Sequence, residues 1–85
     1  MPVTVAQTPN PNALKFEVGI DVGGPKTFVA GRDEGDPLAA ALLALPGVTS
    51  VFMSADFVTL SKTPDADWME IVDEAGRLLA DHFGV

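Results

Sequence analysis

Few side chains in this chain of 85 residues could carry out catalysis or bind a metal. Cysteine is absent, which excludes disulfides, thiolate-bound zinc, thiolate-bound iron–sulfur clusters and thiol catalysis by this chain. His82 is the single histidine and has no set of metal ligands around it in the sequence. Serine, histidine and acid occur without the arrangement of a catalytic triad. We therefore predict that the chain is not an enzyme and has no cofactor of its own.

Twelve acidic residues are the remaining candidates for binding a hard cation, which needs converging oxygen ligands. We expect six of them to form a solvated face of the last predicted helix: Asp65, Asp67, Glu70, Asp73, Glu74 and Asp81. Asp33, Glu34 and Asp36 lie closer together but resemble loop and helix-capping residues. The sequence predicts no metal site, and weak iron binding by surface carboxylates is kept as an alternative.

A glycine-rich segment, VGGPK at residues 22–26, is a second candidate for ligand binding. It lacks the spacing of a phosphate-binding loop, and no helix is predicted directly after it. A structural turn is the better interpretation.

The segment TPNPN, Thr8 to Asn12, is unusual because prolines and asparagines alternate between two predicted strands. Pro9 and Pro11 cannot donate main-chain hydrogen bonds, and Asn10 and Asn12 tolerate left-handed backbone. A loop made rigid by proline loses little entropy on binding, so TPNPN is a candidate contact surface. The alternative is that it only fixes the connection between the strands, and both can hold.

The net charge of −7 limits the choice of partners. An acidic chain repels phosphate backbones and anionic lipid, so nucleic acid and membrane surfaces are poor partners, whereas a basic protein surface is suitable. The longest apolar run, LAAALLAL at 38–45, is too short to span a membrane. The N-terminus lacks the pattern of a signal peptide, and we expect a cytoplasmic protein.

Hydrophobic periodicity and turn residues predict five strands and two helices. The first helix starts at Asp36-Pro37 and ends at Pro46-Gly47, and the last helix opens at residues 63–65 and stops near Gly84. The predicted strands cover residues 3–8, 13–18, 26–30, 48–53 and 57–62.

The alternation in the second strand indicates how the elements pack. Leu14, Phe16 and Val18 share one face, and Lys15 and Glu17 share the other, which is typical of an antiparallel strand with one wet face. We predict an α+β fold in one domain, residues 1–85, with a mostly antiparallel sheet in the order β-β-β-α-β-β-α and both helices on one face. The residues expected to be mostly buried are Leu14, Phe16, Leu42, Leu45, Val51, Val58, Leu60, Ile71, Val72, Leu78 and Leu79.

Several short motifs occur in an order that matches one known family. They are TPNPN at 8–12, LKF at 14–16, PLA at 37–39, GV at 47–48, VF at 51–52, DFVT at 56–59, Lys62 and Trp68. On these motifs the chain resembles the N-terminal domain of the Nfu/NifU-type iron–sulfur cluster scaffold proteins. In that family a second domain usually follows and holds the cluster with a Cys-x-x-Cys pair, which this chain lacks.

The resemblance implies an accessory module in iron–sulfur cluster assembly that docks scaffold, delivery or client proteins and holds no cluster itself. The residues it suggests for partner binding are Thr8, Pro9, Asn10, Pro11, Asn12, Lys15 and Asp56. The helix, Pro-Gly-Val and hairpin at residues 45–60 are also common in ferredoxin-like domains, so a small-ligand-sensing domain is the alternative. The identity of the partner and the oligomeric state stay open.

Overall fold

The computed structural model describes residues 3–31 and 35–84. Its elements follow the predicted order, with strands β1 to β5, helices α1 and α2, and a short 3-10 helix before α2. Their bounds are β1 Thr4–Gln7, β2 Ala13–Glu17, β3 Lys26–Val29, α1 Pro37–Leu43, β4 Val48–Ser54, β5 Phe57–Lys62, the 3-10 helix Trp68–Glu70 and α2 Val72–Phe83. Neither described helix is long and apolar enough to cross a bilayer.

The five strands form one antiparallel sheet in the order β1-β2-β5-β4-β3. Phe16 of β2 lies opposite Val58 of β5, and Val51 of β4 lies opposite Leu60 of β5. Directly opposed residues of antiparallel strands point to the same face, so these side chains form one apolar surface. β1 and β3 are the two edges of the sheet. The predicted α+β class with an antiparallel sheet is confirmed.

The core lies between this apolar surface and the two helices. Seven of the residues predicted to be buried are fully enclosed: Phe16, Leu42, Val51, Val58, Leu60, Ile71 and Leu79. The other four are only partly buried and pack against the edge of the core: Leu14, Leu45, Val72 and Leu78. For α2 the reason is helical geometry, since Ile71, Ala75 and Leu79 repeat every four residues and take the innermost stripe.

The start of α1 agrees with its predicted cap. Asp36 has extended backbone, and its Oδ1 accepts hydrogen bonds from the amides of Leu38 and Ala39 at 3.0 and 3.2 Å. The carboxylate thus satisfies two amides that have no partner within the helix. Asp33 and Glu34 lie outside the described residues.

The predicted start of the last helix at residues 63–65 was wrong, because α2 begins at Val72. The Thr63 amide donates to the Gly47 carbonyl, and the Ala66 amide donates back to the Thr63 carbonyl, so this segment forms turns. Asp67 caps the 3-10 helix through the Met69 amide. The acidic residues in the first turn of α2 are Asp73 and Glu74.

Candidate functional site

The loop Thr8–Asn12 is organised by its own side chains. Thr8 Oγ1 lies 2.9 Å from the carbonyl oxygens of both Asn10 and Ala13, and it accepts a hydrogen bond from the Asn10 amide. Asn10 Oδ1 accepts from the Asn12 amide at 2.9 Å, a turn that asparagine forms readily. Because the prolines supply no amide hydrogens, Asn10 and Asn12 carry the amides in the middle of this loop, and these bonds satisfy both of them.

Two distant residues fasten this loop to the rest of the molecule. Trp68 Nε1 donates to the Pro11 carbonyl at 3.0 Å, and Lys62 Nζ donates to Asn12 Oδ1 at 3.2 Å. Lys62 Nζ also lies 5.7 Å from the centre of the Trp68 ring, within range of a cation–π interaction. The loop is therefore held at the end of β5 and beside the 3-10 helix.

A cavity of about 260 Å³ opens next to the loop. It is lined by residues 7–11, Ala13, Leu14 and Trp68. Proline rings, Leu14 and the indole give it largely apolar walls, whereas Gln7 and Asn10 bring carboxamides. Such a cavity suits a side chain of a bound partner, because it combines an apolar contact area with a few polar groups that fix orientation.

The other two candidate residues lie away from the loop. Lys15 Nζ sits 4.5 Å from the centre of the Phe57 ring on the sheet face opposite the core. Asp56 lies in the β4–β5 turn, where its carbonyl accepts from the amides of Val18 and Gly19. β5 separates Asp56 from Lys62, a span of roughly 20 Å at about 3.4 Å per residue. The structure thus groups Thr8–Asn12 but does not bring Asp56 to them.

Three further residues join the loop in space and were absent from the predicted partner-binding set: Leu14, Lys62 and Trp68. All three belonged to the short motifs that carried the family resemblance. Their presence among those motifs was the available signal, and their contact with the loop is a tertiary feature that spacing does not encode.

Comparison with known proteins decides the family. The family model described as "Scaffold protein Nfu/NifU N terminal" matches residues 3–84. The chain belongs to this family.

Individual relatives agree with the assignment to the Nfu/NifU N-terminal family. A protein named NFU1 iron-sulfur cluster scaffold homolog, mitochondrial, from Drosophila ananassae is 39% identical over an alignment that covers 95% of this chain and 30% of that protein. A NifU-like protein of Schizosaccharomyces pombe is 36% identical over an alignment that covers 89% of this chain and 31% of that protein. The chain thus spans about a third of the length of these relatives.

A solved structure shows the same fold. The solution structure of a NifU-like protein from Saccharomyces cerevisiae superimposes with a TM-score of 0.83 at 27% identity. The match covers 96% of this chain and 77% of that one. The antiparallel sheet and two helices are therefore the fold of the Nfu/NifU N-terminal domain.

The remaining candidates for chemistry form no metal site among the described residues, although His82 and Asp36 line a separate cavity with Lys26. His82 is exposed in the last turn of α2, with its ring edge-on to Phe83 at 4.8 Å between centres. In residues 3–31 and 35–84, no three carboxylate or imidazole groups are placed to share a metal ion.

A hydrogen bond from the Thr63 side chain lowers the pKa of the exposed Asp65 carboxyl below its ordinary value. Asp21 Oδ1 accepts from the Gly23 amide within the loop before β3.

Proposed function

We propose that this chain is a non-catalytic docking module in iron–sulfur cluster biogenesis. It binds scaffold, delivery or client proteins through the loop Thr8–Asn12, and the cluster stays on a partner chain. Membership of the Nfu/NifU N-terminal family supports the general role, because relatives carry the name of iron–sulfur cluster scaffolds.

The observation that supports the docking role is that the loop is both exposed and ordered. Pro9, Asn10 and Pro11 are exposed, yet hydrogen bonds within the loop and from Trp68 hold them in one arrangement. An exposed surface that is already ordered gives up little conformational entropy when a partner binds.

Affinity capture from the source cell tests this proposal. The double variant Pro9→Ala/Asn10→Asp changes the exposed surface but keeps the Oδ1 acceptor that the Asn12 amide requires. We expect the wild-type chain to recover scaffold or cysteine-desulfurase components and the double variant to lose them.

The matched control makes the same two kinds of change elsewhere. Pro46 is an exposed turn proline, and Ala40 is exposed on α1. Pro46→Ala/Ala40→Asp should capture the same components as the wild type. Equal capture by both double variants contradicts docking through the loop. Capture of no assembly component, with a metabolite that co-purifies, supports the small-ligand-sensing alternative.

Two further predictions belong to this proposal. We propose that residues 1–85 act as one domain, which cooperative unfolding with coincident probes would show. We also propose a cytoplasmic location, although the Drosophila relative is named mitochondrial. Fractionation of the source cell tests the compartment.

A further inference from the structure

The outer side of β1 is a free sheet edge next to the cavity. Among the described residues, β1 pairs with β2 alone, and no described loop bonds to its other side. A free edge presents main-chain donors and acceptors that another extended chain can pair with. A chain that pairs with this edge must therefore be an extended β-strand.

The hydrogen-bond pattern shows which groups of β1 face outward. The Lys62 amide donates to the Asn12 carbonyl and the Val18 amide to the Asp56 carbonyl, so even-numbered residues of β2 direct their main chain toward β5. Its odd-numbered residues then face β1, where Lys15 lies opposite Ala6 and Glu17 lies opposite Thr4. The main-chain N–H and C=O groups of successive residues in a strand point to opposite sides. Val5 and Gln7 therefore point theirs to the outer side of β1.

The two edges of the sheet differ in how well they are protected. β3 begins at Lys26 directly after Pro25, and lysine and proline at an edge both oppose the addition of another strand. β1, with the sequence TVAQ, contains no charge and no proline. Of the two edges, β1 is therefore the less protected one.

The cavity beside the loop continues this edge. Gln7 is the last residue of β1 and also lines the cavity, so a strand paired along β1 would lie beside the cavity. One of its side chains could then contact the apolar surface formed by Trp68, Pro9 and Leu14. Pairing by the main chain with one side-chain pocket is a recurring mode of peptide recognition.

The net charge of the chain favours a basic segment over a second copy of this chain as the occupant. Each copy carries −7, so two copies repel, whereas a segment flanked by arginine or lysine is attracted. We propose that an extended, basic-flanked segment of a partner protein adds to β1 as a sixth strand. Its main chain bonds to Val5 and Gln7, and one apolar side chain enters the cavity beside Trp68. This inference rests on the proposed docking function and names the form of the partner.

A defined peptide probe tests the inference by NMR. Titration of the labelled chain with the blocked peptide RTVTLTR should shift the amides of Val5 and Gln7 and the indole resonance of Trp68. The peptide RTVTSTR, without the apolar side chain, should shift the two amides and leave the indole nearly unchanged. No shift of these groups at millimolar peptide, or shifts along β3 in their place, would overturn the inference.

A pair of variants gives a matched comparison. Val5 and Val29 are both edge-strand valines, 41% and 40% exposed. The Ala30 amide bonds to β4, so Val29 directs its own amide outward as Val5 does. Val5→Pro should weaken peptide binding by about tenfold through loss of an outward donor, and Val29→Pro should leave it unchanged. Equal binding by both variants overturns the inference.

The two proposals can fail separately. Partners lost from the loop variant with no peptide shift on the wild-type chain would disprove the sixth strand and leave docking intact. Peptide shifts at Val5 and Gln7 with no assembly component captured would disprove the iron–sulfur role and leave the edge as a peptide site. The shift map of the wild-type chain depends on no variant, so a variant that fails to fold does not block either conclusion.

Discussion

The indole Nε1 of Trp68 donates a hydrogen bond to the Pro11 carbonyl oxygen, and this contact joins residues 57 positions apart. It connects the first turn of the sheet to the segment that precedes α2. The shape of the candidate docking loop therefore depends on a part of the chain that is remote in sequence. Loss of the Trp68 donor should therefore alter the loop even though the loop's own sequence is intact.

Substitution of Trp68 by phenylalanine tests this dependence. Trp68→Phe keeps an aromatic ring but loses the donor, so the free energy of unfolding should fall by about 0.5–1.5 kcal/mol. The amide resonances of residues 10–13 should move as well. Urea unfolding followed by circular dichroism measures the first effect. Met69→Leu, at a neighbouring residue that is 84% exposed, should change neither quantity. Wild-type stability and unchanged loop resonances in Trp68→Phe contradict the prediction.

Gly47 is required by both its backbone and its surroundings. Its φ is +84°, and a Cβ there would overlap the Cβ of Ala66. Gly19 has a similar φ of +78°, but a Cβ added there would meet open space. Gly19→Ala therefore measures the cost of the left-handed backbone alone. We expect Gly19→Ala to cost roughly 1 kcal/mol and Gly47→Ala roughly 3 kcal/mol or more. Thermal unfolding of the two variants checks this, and equal losses would show that Ala66 moves aside freely.

Asp65 should contribute to the acid dependence of stability. The hydrogen bond from Thr63 lowers its pKa in the folded chain, so its stabilising effect is present above the unfolded pKa and is lost as pH falls through the folded pKa. Thr63→Val should raise the pKa of Asp65 toward its ordinary value in an NMR titration of the carboxyl carbon. Thr49→Val, which removes a hydroxyl bonded to the Ser61 carbonyl, is the control and should not shift it. An unchanged pKa in Thr63→Val counts against Thr63 as the cause.

The isolated chain should not retain an iron–sulfur cluster. Such clusters need thiolates, in rarer sites together with two histidines, and this sequence has no cysteine and one histidine. Anaerobic reconstitution with iron and sulfide, then desalting, should leave protein without visible charge-transfer absorption. Stoichiometric absorption on the isolated chain would refute this prediction and place the cargo here instead of on a partner.

Local patterns in the sequence were enough to predict most of the fold. The alternation of Leu14 and Phe16 with Lys15 and Glu17 identified β2 and its buried face, and Asp36 marked the start of α1. The predicted start of α2 was wrong because Pro64 and Asp65 resemble a helix N-terminus. In the structure, the Thr63 amide bonds to Gly47, and that long-range contact holds the segment in turns.

The candidate site also has one part that the sequence predicts and another that it does not. The turn at Asn10 and Asn12 follows from asparagine chemistry and could be predicted. The contacts of Trp68 and Lys62 with the loop could not, because they depend on β2 lying beside β5. The distance of Asp56 from the loop has the same origin, since the length of β5 separates them.

The strand order also has a consequence for the folding pathway. β4 and β5 are joined by the two-residue turn Ala55–Asp56, whereas β2 meets β5 only when Phe16 reaches Val58. Closing that loop of about 40 residues costs roughly 3 kcal/mol of chain entropy. We expect the β4–β5 hairpin to form early and the β1–β2 hairpin to dock after the rate-limiting step. The φ-value of Val51→Ala should then exceed that of Leu14→Ala, and the reverse order would refute this pathway. The loop Thr8–Asn12 and its cavity would accordingly be among the last parts of the molecule to be completed.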